Sequence, residues 1–378
     1  MNTALPTGVD VVVAAQTLGQ TVRRTPLDLS LRLSGIRRQS VLLKREDIQV
    51  GRSYKVRGAY NFISGLPANE REAGIVCASA GNHAQGVAFA CRQLKIHGKV
   101  FLPSTTPRQK RARIADIGGR WIEQIVGGAA FDEASSAAME YADAHGATYV
   151  HPFDDPRTIA GQGTVVKELF EQASEKPATV VVPVGGGGLL AGTAIWLREF
   201  HPEVRIVGVE PSCTAVLRSD LEDLLPDDAR APLVKAMTYT LAELLTAPEP
   251  VGPGRGWRMP DLAGVEIVAQ PHCHHYSVMG WAADEDLLRK AGASVTKVTG
   301  CCGLAGNFGM EKGHYEVSVK VAQARLVPAL SEAGRDAVFL ADGFSCRTQA
   351  GQLAGSRGIH LAELIRDGAE AARRRGGS

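Results

Sequence analysis

The sequence predicts an α/β protein built on mostly parallel sheets, with a second, smaller α/β part behind the first. Three observations carry this. Short apolar runs recur between helix-length segments, the alternation expected of βαβ units. Forty-two glycines supply tight turns without forming a long low-complexity tract. The seven cysteines are spread unevenly, with Cys77 and Cys91 in the first half and the other five at 213 and beyond.

Taken in order, Ser40–Lys44 reads as a short strand and Ala59–Ile63 as helix continuing from a Lys-Val-Arg-Gly entry. Gly74–Ala78 is a buried strand, 79–83 a turn, and Gln85–Leu94 a helix. Lys99–Leu102 is a strand and Gln109–Ile117 a helix. Thr179–Val184 is a fully apolar strand that runs into Gly185, Gly186, Gly187 and Gly188, with a helix over Leu190–Glu199. Arg205–Val209 is the next strand. Residues 246–260 carry four prolines and three glycines, a loop or linker. Val265–Val268 is a strand, and helices are expected over Ala282–Ala291, Tyr315–Ala333 and after Leu361, with a frayed basic tail at 367–378.

Composition excludes several functions. With 42 Lys+Arg against 40 Asp+Glu, the chain lacks the basic excess of a nucleic-acid-binding face. It has no apolar run of bilayer length. Residues 1–20 contain no basic segment followed by an apolar core, so no secretory signal is expected. An odd number of cysteines in a chain without an export signal points to a reducing, cytoplasmic setting.

Lys55 is the first candidate for chemistry. It opens a predicted helix, where the dipole disfavours its charge, and Gly58 lets another group approach closely. The four glycines between an apolar strand and a helix offer free backbone N–H groups to a phosphate. They form neither a Walker loop nor a dinucleotide fingerprint. The turn Ser79-Ala80-Gly81-Asn82-His83-Ala84-Gln85-Gly86 offers hydroxyl, amide and N–H groups to a carboxylate or ring oxygen; ordinary N-capping by Ser79 or Asn82 is the alternative.

The segment Ser53-Tyr54-Lys55-Val56-Arg57-Gly58-Ala59, preceded by Lys44-Arg45-Glu46-Asp47-Ile48-Gln49, resembles the cofactor-lysine segment of threonine dehydratases. The Ser79–Gly86 turn, the Pro183–Leu189 loop, Pro152–Pro156 and Ile159–Thr164 match the same family, from about residue 10 to about 210. The resemblance implies a tryptophan-synthase-β-like fold (pyridoxal-phosphate fold type II), here truncated, and pyridoxal 5'-phosphate as cofactor. It implies a Schiff base on Lys55, a phosphate held by Gly185–Leu189, and Asn82 on the ring hydroxyl. Ser79, Gly81 and His83 would bind the substrate carboxylate. The implied reaction converts L-threonine to 2-oxobutanoate and ammonia within isoleucine biosynthesis, in a homo-oligomer; serine is the other candidate substrate. The family's Ser-Gly-Gly-Asn-type turn, partner of the pyridine nitrogen, does not occur in this sequence.

Gly300-Cys301-Cys302-Gly303 is the second constellation. Adjacent cysteines suit a multi-metal cluster better than one tetrahedral zinc. Cys213 and Cys346 are expected in loops after strands, and His272-Cys273-His274-His275 adds further ligands; buried reduced thiols are the bland alternative. With Glu210-Pro211-Ser212-Cys213 and Asp342-Gly343-Phe344-Ser345-Cys346-Arg347, these segments are similar to one half of the cysteine-rich CCG domain. That domain occurs in FAD-linked lactate and glycolate oxidases and heterodisulfide-reductase-like proteins. The similarity spans about 206–366 and implies an iron–sulfur cluster on Cys213, Cys273, Cys301, Cys302 and Cys346.

The expected domains are 1–209, with a small subdomain at about 57–155, and 210–366. Three readings stay open: a pyridoxal-phosphate lyase with a C-terminal appendage, an electron-transfer module carrying a non-catalytic dehydratase-like region, and an inactive fusion.

Overall fold

The structure, a computed structural model, describes residues 5–37, 40–104, 106–128, 131–184, 186–208, 211–219, 222, 231–236, 238–248, 252, 257–305, 309 and 313–376. The chain divides into two compact units: Met1–Val180 with Gly185–Ile206, and Val181–Val184 with Val207–Ser378.

In the first unit, β1 (Leu27–Leu29) pairs antiparallel with β2 (Leu42–Lys44). A four-stranded parallel sheet follows, built from β3 (Ile75–Ala78), β4 (Gly98–Leu102), β5 (Ile122–Val126) and β6 (Thr148–Tyr149) in the order β5-β4-β3-β6. Its two faces follow the period-2 rule of a strand. Ile75, Cys77, Val100 and Leu102 enter one core with Phe62, Ile63 and Val87. Val76, Ala78 and Phe101 enter the other with Ala134 and Ala138. Strands covered on both faces read as continuous apolar runs, which makes β3 and β4 visible in the sequence. β5 and β6 carry no such run and are not foreseen there.

The helices Gly8–Leu18, Lys55–Ser64, Asn82–Leu94, Pro156–Gln172 and Gly188–Phe200 pack on one another. Glycine sets how closely. A Cβ at Gly161 would stand 2.6 Å from the Arg57 carbonyl oxygen, and one at Gly58 would stand 2.8 Å from the Thr158 oxygen. The lysine-bearing helix and the Pro156–Gln172 helix therefore touch backbone to backbone.

That contact is held by a buried ionic network. Arg57 has a fully buried side chain and is forked onto two carboxylates, Glu46 at 2.8 and 3.0 Å and Glu168 at 2.7 and 2.8 Å. Lys44 Nζ donates to Glu168, Gln172 and the Thr25 oxygen at 2.7–2.8 Å. Burial pushes the Glu168 carboxyl up, but the hydrogen bonds from Arg57 and Lys44 outweigh it and hold the group below the usual carboxylate range.

β7 (Thr179–Val182) and β8 (Arg205–Gly208) form a two-stranded sheet. Val181 is 61% exposed, so β7 is apolar but not buried along its length, contrary to expectation. Val209, Glu210 and Gly185 lie outside the described residues.

In the second unit, β9 (Glu266–Ala269) is the centre of a three-stranded parallel sheet between β10 (Ser294–Lys297) and β11 (Val338–Leu340). Ile267, Ala269 and Leu340 face a core with Trp281, Leu288 and Leu361. Val268 and Phe339 face another with Leu326 and Ala350. Two expectations are corrected here. Cys213 and Cys346 do not sit in loops: each lies in the first turn of a helix, Pro211–Arg218 and Phe344–Ala354. The basic tail is not frayed at 373–376, because the final helix runs Leu361–Gly376. No helix among the described residues is long and apolar enough to cross a membrane.

Candidate functional site

Lys55 is the first residue of its helix, as expected. Its amine donates to the Pro152 oxygen at 2.8 Å and stands 5.3 Å from the Tyr54 ring centroid and 5.8 Å from that of Phe153. Burial lowers its pKa to about 8. Helix Asn82–Leu94 lies close behind it: a Cβ at Gly86 would come 3.0 Å from the Lys55 carbonyl.

The lysine is linked to the glycine loop through two side chains. Gln162 Nε2 donates to the same Pro152 oxygen at 3.1 Å, while its Oε1 is buried without a hydrogen-bond partner and lies 2.6 Å from where a Gly188 Cβ would be. The Phe153 ring packs against Gly186, where a Cβ would meet it at 2.3 Å. Gly187 has φ +83°, a left-handed cap that glycine adopts without strain, and the helix starts at Gly188. Leu189 is buried behind the turn. Gly185 lies outside the described residues.

The Ser79–Gly86 turn is brought to the same place. His83 is buried, its Nε2 lies 2.8 Å from the Val150 oxygen and its Nδ1 has no partner. Burial lowers the His83 pKa to about 3, and the neighbouring Lys55 charge adds to this, so the ring is neutral. Gly81 opens onto empty space, and Ser79 Oγ accepts from the Gly81 N–H at 3.1 Å. Asn82 begins the helix, with Gly81 as its N-cap and no side-chain cap bond. In the sequence Pro152, Phe153 and Gln162 stand within family motifs without an assigned role. Their role is tertiary: they bridge two segments that each look complete on their own.

A second cluster lies in the second unit. Cys273, Cys301–Cys302 and Cys346 follow the C-terminal ends of β9, β10 and β11. Their thiols interact in a chain, Cys273 with Cys301, Cys301 with Cys302, and Cys302 with Cys346. Cys301 Sγ also accepts from the Gly303 N–H at 3.3 Å. Hydrogen bonds from Cys273 and Cys302 pull Cys301 down to about 2, while the same bonds push Cys273 and Cys302 up. Ligand atoms of His272, Cys273 and His274 lie within 4.8 Å of one another. Cys213 does not join this account, since its side chain lies outside the described residues. Cys77 and Cys91 are core thiols pushed up by burial, Cys91 to about 12.

A half-buried lysine with a lowered pKa, linked through Gln162 and Phe153 to a glycine-built helix start in an α/β framework, is the arrangement of an enzyme that holds a phosphorylated carbonyl cofactor through an amine. The chain matches the family model for pyridoxal-phosphate dependent enzymes over residues 18–323, and it belongs to that family. It is 51% identical over 214 residues to the biosynthetic L-threonine dehydratase of Mycobacterium tuberculosis strain H37Rv, covering 57% of this chain and 50% of that protein. The corresponding protein of Bacillus subtilis strain 168 is 45% identical over 205 residues, 54% of this chain and 49% of the relative. The chain spans about half the length of the curated relatives it matches. Among solved structures, a T.th. threonine deaminase aligns with TM-score 0.53 and 34% identity over 62% of this chain and 77% of that one. The processed form of threonine deaminase isoform 2 from Solanum lycopersicum aligns with TM-score 0.54 and 28% identity over 92% of each chain. The fold is thus that of the fold-type II pyridoxal enzymes, and the family match continues beyond residue 209.

The residues present fit pyridoxal phosphate. An amine with pKa about 8 is available, a helix start at Gly187–Gly188 is linked to it through Gln162 and Phe153, and two buried polar atoms nearby, Gln162 Oε1 and His83 Nδ1, await partners.

Proposed function

We propose that the protein is a threonine ammonia-lyase that releases 2-oxobutanoate and ammonia from L-threonine, with Lys55 as its catalytic residue. The observation that carries this is the half-buried Lys55 amine on the Pro152 oxygen, linked through Gln162 and Phe153 to Gly186 and Gly188. The likeness to biosynthetic threonine dehydratases supports the substrate class.

Pyridoxal phosphate, when bound, supplies the electron sink for bond breaking at the substrate Cα. Lys55 holds the cofactor and afterwards moves the Cα proton, a task suited to an amine with pKa about 8. The Gly185–Leu189 turn holds the phosphate through backbone N–H groups, and Asn82 meets the ring hydroxyl. Ser79, Gly81 and neutral His83 orient the substrate carboxylate. The β-hydroxyl leaves as water, and a water is taken up when ammonia is released, so threonine yields the keto acid and ammonia with no net oxidation. The dehydratase-like region spans 1–209, a CCG-type domain spans 210–366, and the enzyme works as a cytoplasmic homo-oligomer.

The test is the visible absorbance of the full chain with added pyridoxal phosphate, beside Lys55→Ala, followed by ammonia release from threonine and serine. A band that needs Lys55 and turnover that prefers threonine support the reading. Cofactor binding unaffected by Lys55→Ala overturns it, and faster turnover of serine moves the substrate.

The converging thiols favour a second activity in the same chain. Four cysteines at one end of a sheet, two of them adjacent, suit an iron–sulfur cluster of the CCG type, because neighbouring thiolates can reach different irons. Iron and acid-labile sulfide that disappear together in Cys301→Ser/Cys302→Ser support it. A protein reconstituted under reducing conditions that takes up neither refutes it.

A further inference from the structure

Another group of ligand-type side chains lies in the second unit, and neither the lyase reading nor the thiol row uses it. His275 follows β9 in a π-helical turn, Asp284 lies in the first turn of the helix Ala282–Lys290, and Asp342 follows β11. His275 and Asp284 are each 2% exposed, and Asp342 is mostly buried. One ligand atom from each of the three lies within 4.8 Å of the other two.

Several polar atoms here make no hydrogen bond. His275 Nε2 is 3.2 Å from Asp284 Oδ2, yet the pair is not aligned for a hydrogen bond. Both ring nitrogens, Asp284 Oδ2 and the Gln270 side-chain oxygen are buried without partners. Gln270 itself is 1% exposed; its Nε2 is used on the oxygens of Pro271 and Gly300, which fixes the amide. Gln270, Pro271, His275, Trp281, Asp284 and Asp342 line a cavity of about 10 Å³. That volume suits one atom-sized occupant.

Burying such groups unpaired costs stability. A proton on His275 offsets Asp284, while Asp342 Oδ1 accepts from the Leu361 N–H at 2.8 Å and stands 3.6 Å from His360 Nε2, so the unsatisfied atoms are those of His275, Asp284 and Gln270. A divalent cation with a neutral imidazole brings the three side chains to zero net charge. The donor set of one nitrogen and carboxylate oxygens suits zinc. Its ligands stand about 3.3 Å apart for tetrahedral bonds of about 2.0 Å, so small side-chain rotations close the site. The position also fits, since ligand sites in parallel sheets gather beyond the carboxyl ends of the strands.

We infer that His275, Asp284 and Asp342, with the Gln270 side-chain oxygen as fourth donor, form a zinc site separate from the cysteine row. The inference stands independently of the lyase reading.

The probe is Co²⁺ as a zinc surrogate, titrated into metal-free full-length protein and displaced by Zn²⁺. Thiolate-bound cobalt gives strong sulfur-to-metal charge-transfer bands, whereas a nitrogen–oxygen site gives only weak visible bands. Cys301→Ser/Cys302→Ser is expected to retain one equivalent of cobalt, displaceable by zinc and without the sulfur bands. Adding His275→Gln or Asp284→Asn to that protein removes this equivalent. No cobalt binding in the cysteine variant overturns the inference, and so does binding that survives both further substitutions. Should those substitutions prevent folding, the coordination of zinc in the cysteine variant, measured by X-ray absorption, decides. Nitrogen and oxygen neighbours only, with a histidine signature, are expected; sulfur neighbours refute the site.

Discussion

The two units bury charge in opposite ways. In the first, Arg57, Glu46, Glu168 and Lys44 are packed between helices, and two carboxylates face two cations in hydrogen-bonding geometry. In the second, His275 and Asp284 are as deeply buried, but they meet at 3.2 Å without forming a hydrogen bond. A finished network contributes to a fixed architecture, whereas an unfinished one marks a place for something the chain does not itself contain. The Lys55 region lies between these cases: its amine is paired with a carbonyl, while Gln162 Oε1 and His83 Nδ1 are open.

The largest expected effect tests this contrast directly. Glu168→Gln removes one charge from the finished network and leaves the Arg57 fork half-used, a loss of about 3–5 kcal/mol in urea unfolding. Asp284→Asn in metal-free protein removes a charge that nothing pairs well, and its stability should stay within about 1 kcal/mol of the parent or rise. Equal losses for the two variants would break the comparison.

Close backbone contact comes next. Gly161→Val places a branched side chain where even a Cβ would be 2.6 Å from the Arg57 oxygen, forcing apart the helices that carry Lys55 and Gln162. A loss of about 1–3 kcal/mol is expected, together with weaker pyridoxal phosphate binding measured by the same absorbance. Unchanged cofactor affinity in a destabilised protein would show that the site does not depend on this contact.

Acid sensitivity should belong mainly to the first unit. Glu168 has a folded pKa below its unfolded value, so its stabilisation is complete above the unfolded carboxylate range and is lost as pH falls through the folded value. His83, at about 3 against about 6.5 unfolded, acts in the same direction from a higher starting point. Its contribution begins to fall below about pH 6.5, because only the unfolded chain takes up the proton. Stability measured from pH 7 to pH 4 should therefore decline, and His83→Gln should flatten the upper part of that decline. A parallel decline in parent and variant would remove His83 from the account.

What the sequence discloses follows the same division. Lys55, the Ser79–Gly86 turn and the glycine loop are legible because each is a contiguous segment whose residue types are set by local chemistry. The bridge through Pro152 and Gln162 is not, since a carbonyl oxygen carries no sequence signal and its partners come from distant segments. The adjacent cysteines announce themselves and draw attention to their neighbours His275 and Asp342, but Asp284 comes from a separate helix and lies in no pattern with them. β10, Ser294–Lys297, escapes notice because it combines threonine, serine and lysine with a single valine on an exposed edge. The helix starts at Phe344 and Asn82 are misplaced by their glycine-containing entries, which resemble loops.

The smallest expected effect is one in which the units should not differ. Asp155 caps the helix Pro156–Gln172 by accepting from the Arg157 N–H at 2.8 Å, and Thr240 caps Leu241–Thr246 through a capping box with Glu243. Each cap satisfies N–H groups of its own first turn, so its contribution depends on local geometry and not on how charge is buried nearby. Asp155→Ala and Thr240→Ala should each cost about 1 kcal/mol. A much larger loss for Thr240→Ala would implicate Glu243, which the box positions against Arg218 at 2.8 and 3.0 Å. The Arg218–Glu243 contact would then carry stability in the second unit as the Arg57 network does in the first, and the contrast between the units would narrow to the pocket around His275.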